Sequence, residues 1–344
     1  MKKREKELFK SLCSFKEKEF DESLLDAATP AVLGHLFFNR MQAVAFGTLE
    51  KNGLLGKMNR EFRNSLKGAS TQNIEKNNSF FQCVQLVDDA LTECKCKYAM
   101  LKGAYLCKAY PEGYRTSNDI DLLVHPDDVT EIGNALLKLG FKQGNIRNGN
   151  FEPATRKEII ESKMTRGETM PYIKEVNLPG MRFLEVDINF SLDYKPGDTE
   201  LLKEMMSNSV VLKLGEYKVH TLRNDDFFIH LCSHLYKEAT TLPWVEMMRD
   251  MTLYKYCDIY MLLNDADEEQ VDFLFGRAEK LGMEKVCAFA VLHTAELFKF
   301  RNLYAVEVAT RALGYDMDFI HRIECICDFG IHFLCLSILP ASKG

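Results

Sequence analysis

The run Asn118-Asp-Ile-Asp-Leu-Leu-Val124 holds two carboxylates one residue apart, followed at once by three apolar side chains. On a strand, alternation sends Asp119 and Asp121 to the same face, with Cα atoms about 6.5 Å apart. Carboxylates so placed repel each other unless a cation sits between them. Hard oxygen ligands at a strand end suit Mg²⁺, which takes its remaining ligands from water and substrate phosphates. Upstream, Tyr98-Ala-Met-Leu101 reads as a short strand, and Gly103 opens a short helix that stops at Pro111. A glycine there lets a phosphate approach backbone N–H groups. Lys102 and Arg115 are the cations placed to face such phosphates.

A third acid is expected, and Arg182-Phe-Leu-Glu-Val-Asp-Ile-Asn-Phe190 supplies candidates. Leu184, Val186, Ile188 and Phe190 alternate with Glu185, Asp187 and Asn189, so both acids share one face and alternation does not choose between them. In isolation this is an amphipathic strand with one face in solvent. Beside an acidic pair, the metal reading gains weight.

Spacing alone is weak evidence, because Asp265-Ala-Asp267 and Asp316-Met-Asp318 share it. Those pairs lie between or within helical stretches and read as solvated surface. His230 and His234 have an i, i+4 spacing that can bind zinc. Leu231 stands where a zinc protease needs Glu, so a packing role is expected. Cys94-Lys-Cys96 and Cys325-Ile-Cys327 are too far apart and irregular for a zinc site. No Gly-x-x-x-x-Gly-Lys loop and no Gly-x-Ser-x-Gly elbow is present.

The elements that must position these residues fall into three regions. Residues 1–95 read as helices, with Pro30 and Gly53 as breaks and an amphipathic helix over 73–91 (Phe80, Val84, Val87, Leu91). Residues 96–220 form an α/β core. Pro126 starts a helix with Val129, Ile132, Leu136 and Leu139 inward and Gly140 as its stop. Strands over 172–176 and 182–190 flank Leu178-Pro179-Gly180, and a hairpin over 210–220 turns at Gly215-Glu216. Residues 221–344 return to helices, with Phe228, Leu231, Cys232 and Leu235 on one stripe. Residues 329–339 read as a terminal helix or strand.

Leu101-Lys-Gly103, Tyr110-Pro111, Arg115 and Asp119-Ile-Asp-Leu-Leu-Val124 together resemble a bacterial nucleotidyltransferase family of the DNA polymerase beta superfamily. The resemblance continues through Glu185-Val-Asp187 and 224–234, and covers roughly residues 95–265. It implies an α+β fold, a DNA polymerase beta-like core of mixed sheet and helices flanked by N- and C-terminal helical regions. It implies two Mg²⁺ ions (or Mn²⁺), one held by Asp119, Asp121 and Asp187, the last aligned with the family's third acid, and the other binding the triphosphate. Lys102, Gly103 and Arg115 would bind the nucleoside triphosphate, ATP foremost, whose nucleotidyl group passes to a hydroxyl with release of pyrophosphate. Two departures stand out: Gly103-Ala104 where the superfamily has Gly-Ser, and Asn189 where relatives often have His. Residues 143–175 are long for the family and read as an insertion beside the acceptor. The alternative is a non-catalytic nucleotidyltransferase-like module that binds a nucleotide or a partner protein.

Composition narrows the acceptor. Acids outnumber bases, 50 to 44, for a net charge of -6, whereas strand-binding proteins use Lys and Arg to displace counterions. A small molecule or protein acceptor is therefore expected, and a nucleic acid is not. Apolar residues make up 46%, yet no run approaches the ~18–20 a membrane helix needs. Eleven cysteines without framework spacing point to reduced thiols and the cytoplasm.

Overall fold

A computed structural model describes residues 1–165, 167–192, 199–240, 242–246, 252–321, 323–327 and 330–334. The chain divides into two compact units. One comprises residues 1–15 and 19–227, and the other 16–18 and 228–344.

The first unit begins with helices α1 (Lys3–Cys13), α2 (Pro30–Phe38), α3 (Gln42–Lys51) and α4 (Arg60–Thr92). Pro30, read as a break, instead starts α2: it occupies the first turn, and the Thr29 hydroxyl accepts from the Val32 N–H at 3.4 Å. Gly53 ends the α3 region with φ +67°, a conformation that favours glycine. Helix α4 starts 13 residues earlier than the amphipathic stripe indicates, capped by Asn59 on the Phe62 N–H at 2.8 Å. Its first third is mostly polar and carries only Phe62, Leu66 and Ala69 as buried apolar residues. The cap, not the stripe, marks that end.

The core continues with β1 (Tyr98–Met100), α5 (Gly103–Ala109), β2 (Asp119–Val124), α6 (Val129–Lys138), β3 (Lys142–Arg147), β4 (Asn150–Pro153) and α7 (Arg156–Thr165). Then come β5 (Tyr172–Leu178), β6 (Met181–Asn189), α8 (Thr199–Ser207), and the hairpin β7 (Val210–Leu214) and β8 (Tyr217–Thr221). Six strands make one mixed sheet in the order β1-β2-β6-β5-β3-β4, in which β2 and β6 run parallel and every other neighbour is antiparallel. The architecture is thus α+β, a mixed sheet with helices. Segment 143–175 is not a plain loop: β3 and β4 extend the sheet edge and α7 follows them.

One face of this sheet is the core. Ile120, Leu122 and Val124 of β2 and Leu184, Val186 and Ile188 of β6 pack with Phe80, Val84, Val87 and Leu91 of α4 and with Val129, Ile132 and Leu136 of α6. Each such buried side chain contributes about 1.5–3 kcal/mol before chain entropy is counted. Anchoring one face in this way fixes which residues reach the other.

The second unit holds most of α9 (Asn224–Thr240), α10 (Leu242–Glu246), α11 (Leu253–Leu263), α12 (Glu268–Lys280), α13 (Glu284–Leu297) and α14 (Leu303–Leu313). A terminal hairpin of β9 (Ile323–Cys327) and β10 (Gly330–Leu334) follows. The aspartates read as solvated surface have structural roles here. Asp265 pairs with Lys16 and Arg301, Asp267 caps α12, and Asp316 pairs with Lys285. His230 is buried with its ring stacked at 6.2 Å on that of His234. Among the described residues no helix is long and apolar enough to cross a membrane.

Candidate functional site

The site is built by register. In the parallel β2–β6 pair, Asp119 lies opposite Glu185 and Asp121 opposite Asp187. Because the interleaved Ile120, Leu122, Leu184, Val186 and Ile188 are committed to the core, all four carboxylates emerge on the other face. Asp121 is buried, and Asp119, Glu185 and Asp187 are half-buried. Asn189 follows on the same face, its side-chain amide donating to the Leu122 carbonyl at 3.4 Å.

Two short-range devices hold the β2 acids. The Ser117 hydroxyl donates to Asp119 Oδ1 at 2.6 Å, and Lys102 Nζ lies 2.9 Å from Asp121 Oδ1. Lys102 sits at φ +39°, ψ -106°, a backbone state unfavourable to a residue with a Cβ. The chain bends there from β1 into α5, which turns the ammonium toward β2. A Cβ on Gly103 would collide with the Ser117 side chain, so the glycine provides the room that lets Ser117 reach Asp119. Sequence reading assigned Lys102 and Gly103 to the nucleotide. In the structure Lys102 sits on Asp121, and Gly103 lies against Ser117.

Arg115 belongs to the loop 110–118 that leads into β2. Its carbonyl accepts from the Asn77 amide at 2.9 Å, and the Gly113 carbonyl accepts from Asn73 at 2.9 Å. Helix α4 thereby fixes the loop. Lys76, one turn along the same helix face, donates to Asn118 Oδ1. None of Asn73, Lys76, Asn77 and Ser117 was singled out in the sequence. The polar i, i+3, i+4 spacing of 73, 76 and 77 was the available sign that this helix face meets something polar.

The charges are unequal across the face. Burial raises the Asp119 carboxyl, but the Ser117 hydroxyl and the charges of Lys102 and Arg115 outweigh it and hold it below its ordinary value. On β6 nothing comparable offsets burial. Burial, with Asp119 and Asp121 adding to it, pushes Glu185 up to about 7. Burial first, then Asp121, Glu185, Asp119 and Glu168, drive Asp187 well above its ordinary value. Asp119 is thus favoured in its ionised form, and Glu185 and Asp187 are pushed toward their protonated forms.

That donor set fits a divalent cation. It offers carboxyl oxygens from four residues on two adjacent strands, the hard donors such an ion takes. As they stand, no three His, Cys, Asp or Glu among the described residues are gathered as a ready metal shell. Asp119 and Asp121 are engaged by Ser117 and Lys102 instead. The cysteine pair 94/96 does not resemble a metal site either. Burial first, then hydrogen bonds to Glu131 and Asp128, push the Cys96 thiol up to about 12. The side chains of Cys325 and Cys327 lie outside the described residues.

A family model described as "Uncharacterised nucleotidyltransferase" matches residues 30–299. No curated protein is a match. Among solved structures, the crystal structure of an antigenic nucleotidyltransferase-like protein from Paracoccidioides brasiliensis is similar at 14% identity. It covers 66% of this chain and 94% of its own, with a TM-score of 0.35.

Proposed function

The chain belongs to that family of uncharacterised nucleotidyltransferases, and on this premise we propose that it transfers a nucleotidyl group from a nucleoside triphosphate, with ATP the first candidate, to a hydroxyl acceptor. The observation that carries the reading is the β2–β6 register, which gathers Asp119, Asp121, Glu185 and Asp187 on one face beside Lys102. In the transfer, the acceptor oxygen bonds to the α-phosphorus. The bond from that phosphorus to the β-bridging oxygen breaks, and pyrophosphate leaves with the electron pair. Bound Mg²⁺ or Mn²⁺ would supply Lewis-acid charge neutralisation to such a step.

Asp119, Asp121 and Asp187 are the residues that would hold the cation, and the rest of the site positions them. Ser117 orients Asp119. Lys102, which pairs with Asp121, would give up that carboxylate to a bound cation and would then be the ammonium to meet a phosphate. Glu185 faces Asp119 across the strand pair and holds a proton near neutrality, so it is the group to receive the acceptor's proton once it has ionised. A net charge of -6 favours a small molecule or a protein side chain as acceptor over a polynucleotide. The cytoplasm, with its triphosphates and reduced thiols, is the compartment this activity fits.

The test is incubation with Mg²⁺, α-labelled triphosphates and a cell extract, reading pyrophosphate release and label transfer. Asp121→Asn serves as the control. Transfer by the wild type and none by the variant supports the reading. Tight triphosphate binding without turnover on any acceptor fraction would instead favour a nucleotide-binding module.

A further inference from the structure

Helix α3 carries a glycine in its interior, Gly47, although glycine weakens a helix relative to alanine. Its surroundings give the reason. A Cβ at this position would overlap the Tyr114 hydroxyl and two carbons of its ring. The ring lies directly on the backbone of α3, in the space a side chain would fill. Because three of its atoms are involved at once, a small tilt does not relieve the overlap, and an alanine would drive the ring from its seat.

The ring has a second neighbour. Phe15, just past the end of α1, meets it edge-on with centroids 5.4 Å apart and meets Tyr110 at 5.7 Å. Lys51, at the end of α3, donates to the Phe15 carbonyl at 3.5 Å. The turn that presents Tyr114 is closed by its own N–H on the Pro111 carbonyl at 3.1 Å. On the backbone of that turn, Asn73 and Asn77 of α4 hold the Gly113 and Arg115 carbonyls at 2.9 Å, and a Cβ on Gly113 would come within 2.7 Å of Ile74. Helix α3 thus receives the loop's side chain, and helix α4 holds its main chain.

The residues that follow give the seat its meaning. Arg115 and Thr116 alone separate Tyr114 from Ser117, whose hydroxyl donates to Asp119 Oδ1 at 2.6 Å. So short a link has little slack to absorb a shift of Tyr114. We propose that Gly47 is a positioning residue of the acidic site: by admitting the Tyr114 ring it sets loop 110–118, and through Ser117 it sets the orientation of Asp119 toward a cation. This inference rests on the transferase reading and extends it, since it makes the N-terminal helices part of the site's support. Outer partners that orient a metal-binding side chain govern its affinity.

The test compares Gly47→Ala, Tyr114→Leu and the double variant in the full chain. Gly68→Ala on α4, where nothing lies within 4 Å of the added carbon, is the control. Amide hydrogen exchange over residues 110–118 reads the loop, and Mn²⁺ binding followed by electron paramagnetic resonance reads the site, both well below each variant's apparent Tm. Gly47→Ala is expected to speed exchange in the loop and to weaken Mn²⁺ about tenfold, the low end of what an outer partner contributes. Tyr114→Leu empties the seat without crowding α3; it should act the same way, and it decides the matter if Gly47→Ala does not fold. Adding Gly47→Ala to Tyr114→Leu should bring no further change, because the ring that the new carbon displaces is gone. Gly68→Ala should alter neither readout. A glycine with a merely structural role would change the Tm and leave the Mn²⁺ affinity of the folded protein as it is. Loop exchange equal to wild type in Gly47→Ala and Tyr114→Leu overturns the seat. Faster exchange with unchanged Mn²⁺ affinity overturns the positioning role, and both results leave the transferase reading standing. A wild type that binds no Mn²⁺ overturns that reading and the positioning role together.

Discussion

Lys102→Met removes the ammonium from Asp121 while keeping side-chain length and the unusual backbone state of position 102, so backbone strain cancels between variant and wild type. The pair is 2.9 Å long, and its side chains are 18% and 10% exposed. Breaking a buried pair by deleting one partner costs about 3–5 kcal/mol, and a fully exposed pair costs about 0–1. The partial exposure here argues for roughly 3 kcal/mol. Asp121 then faces Asp119, Glu185 and Asp187 without its nearest cation, which adds to the penalty. A domain of about 200 residues loses ~2–4 °C of Tm per kcal/mol, so the apparent Tm in EDTA at pH 8 should fall by roughly 6–12 °C. Adding Mn²⁺ should raise the variant's Tm more than the wild type's, because the metal no longer competes with Lys102 for Asp121. Lys102→Arg should lose less. An unchanged Tm in EDTA, or an equal Mn²⁺ response in both proteins, would refute the placeholder role given to this lysine.

Other expectations follow from the same geometry. Asp119→Asn and Asp121→Asn should each abolish Mg²⁺-dependent triphosphate binding, measured by calorimetry, without loss of helical circular dichroism, since the core lies on the opposite face. Gly103→Ala should cost about 1–3 kcal/mol by overpacking against Ser117 and should weaken Mn²⁺ binding, because Ser117 can no longer hold Asp119. The pH dependence has a definite sign. Glu185 is raised from 4.5 to about 7 by burial and by Asp119 and Asp121, so the folded state binds the extra proton. Its contribution is fully present below about pH 4.5 and is lost as pH rises through 7. Thermal scans in EDTA should show that decline in the wild type and a flatter profile in Glu185→Gln.

Much of the site was legible because strand alternation is a two-residue rule with few exceptions. Asp119, Asp121, Glu185 and Asp187 occupy one face because the residues between them are apolar. Sequence could not show that β2 and β6 are neighbours, nor that Glu185 and Asp187 stand level with Asp119 and Asp121. Those facts depend on a parallel pairing across more than sixty residues. The partners of Lys102 and Lys76 were hidden for a related reason: each is set by a loop that α4 or α5 holds in place, through contacts distant in sequence. The missed strands β3 and β4 have a different cause. Lys142–Arg147 is a polar strand without alternation, next to the edge strand β4, so periodicity is silent. Its turn was nonetheless marked, because Asn148-Gly149, both at positive φ, is a strong short-range hairpin signal.

The parallel register has a consequence for folding fidelity. A slip of β6 by one residue along β2 would turn Glu185, Asp187 and Asn189 into the hydrocarbon layer beneath α4 and α6, and Leu184, Val186 and Ile188 out to water. Placing even one carboxyl among Phe80, Val84 and Leu136 costs several kcal/mol, as much as a domain's whole margin of stability allows. Misregistered chains therefore do not persist as folded but inactive protein; they unfold and try again. In this way the oily side of the sheet proofreads the acidic side, and every molecule that completes its core has its carboxylates aligned.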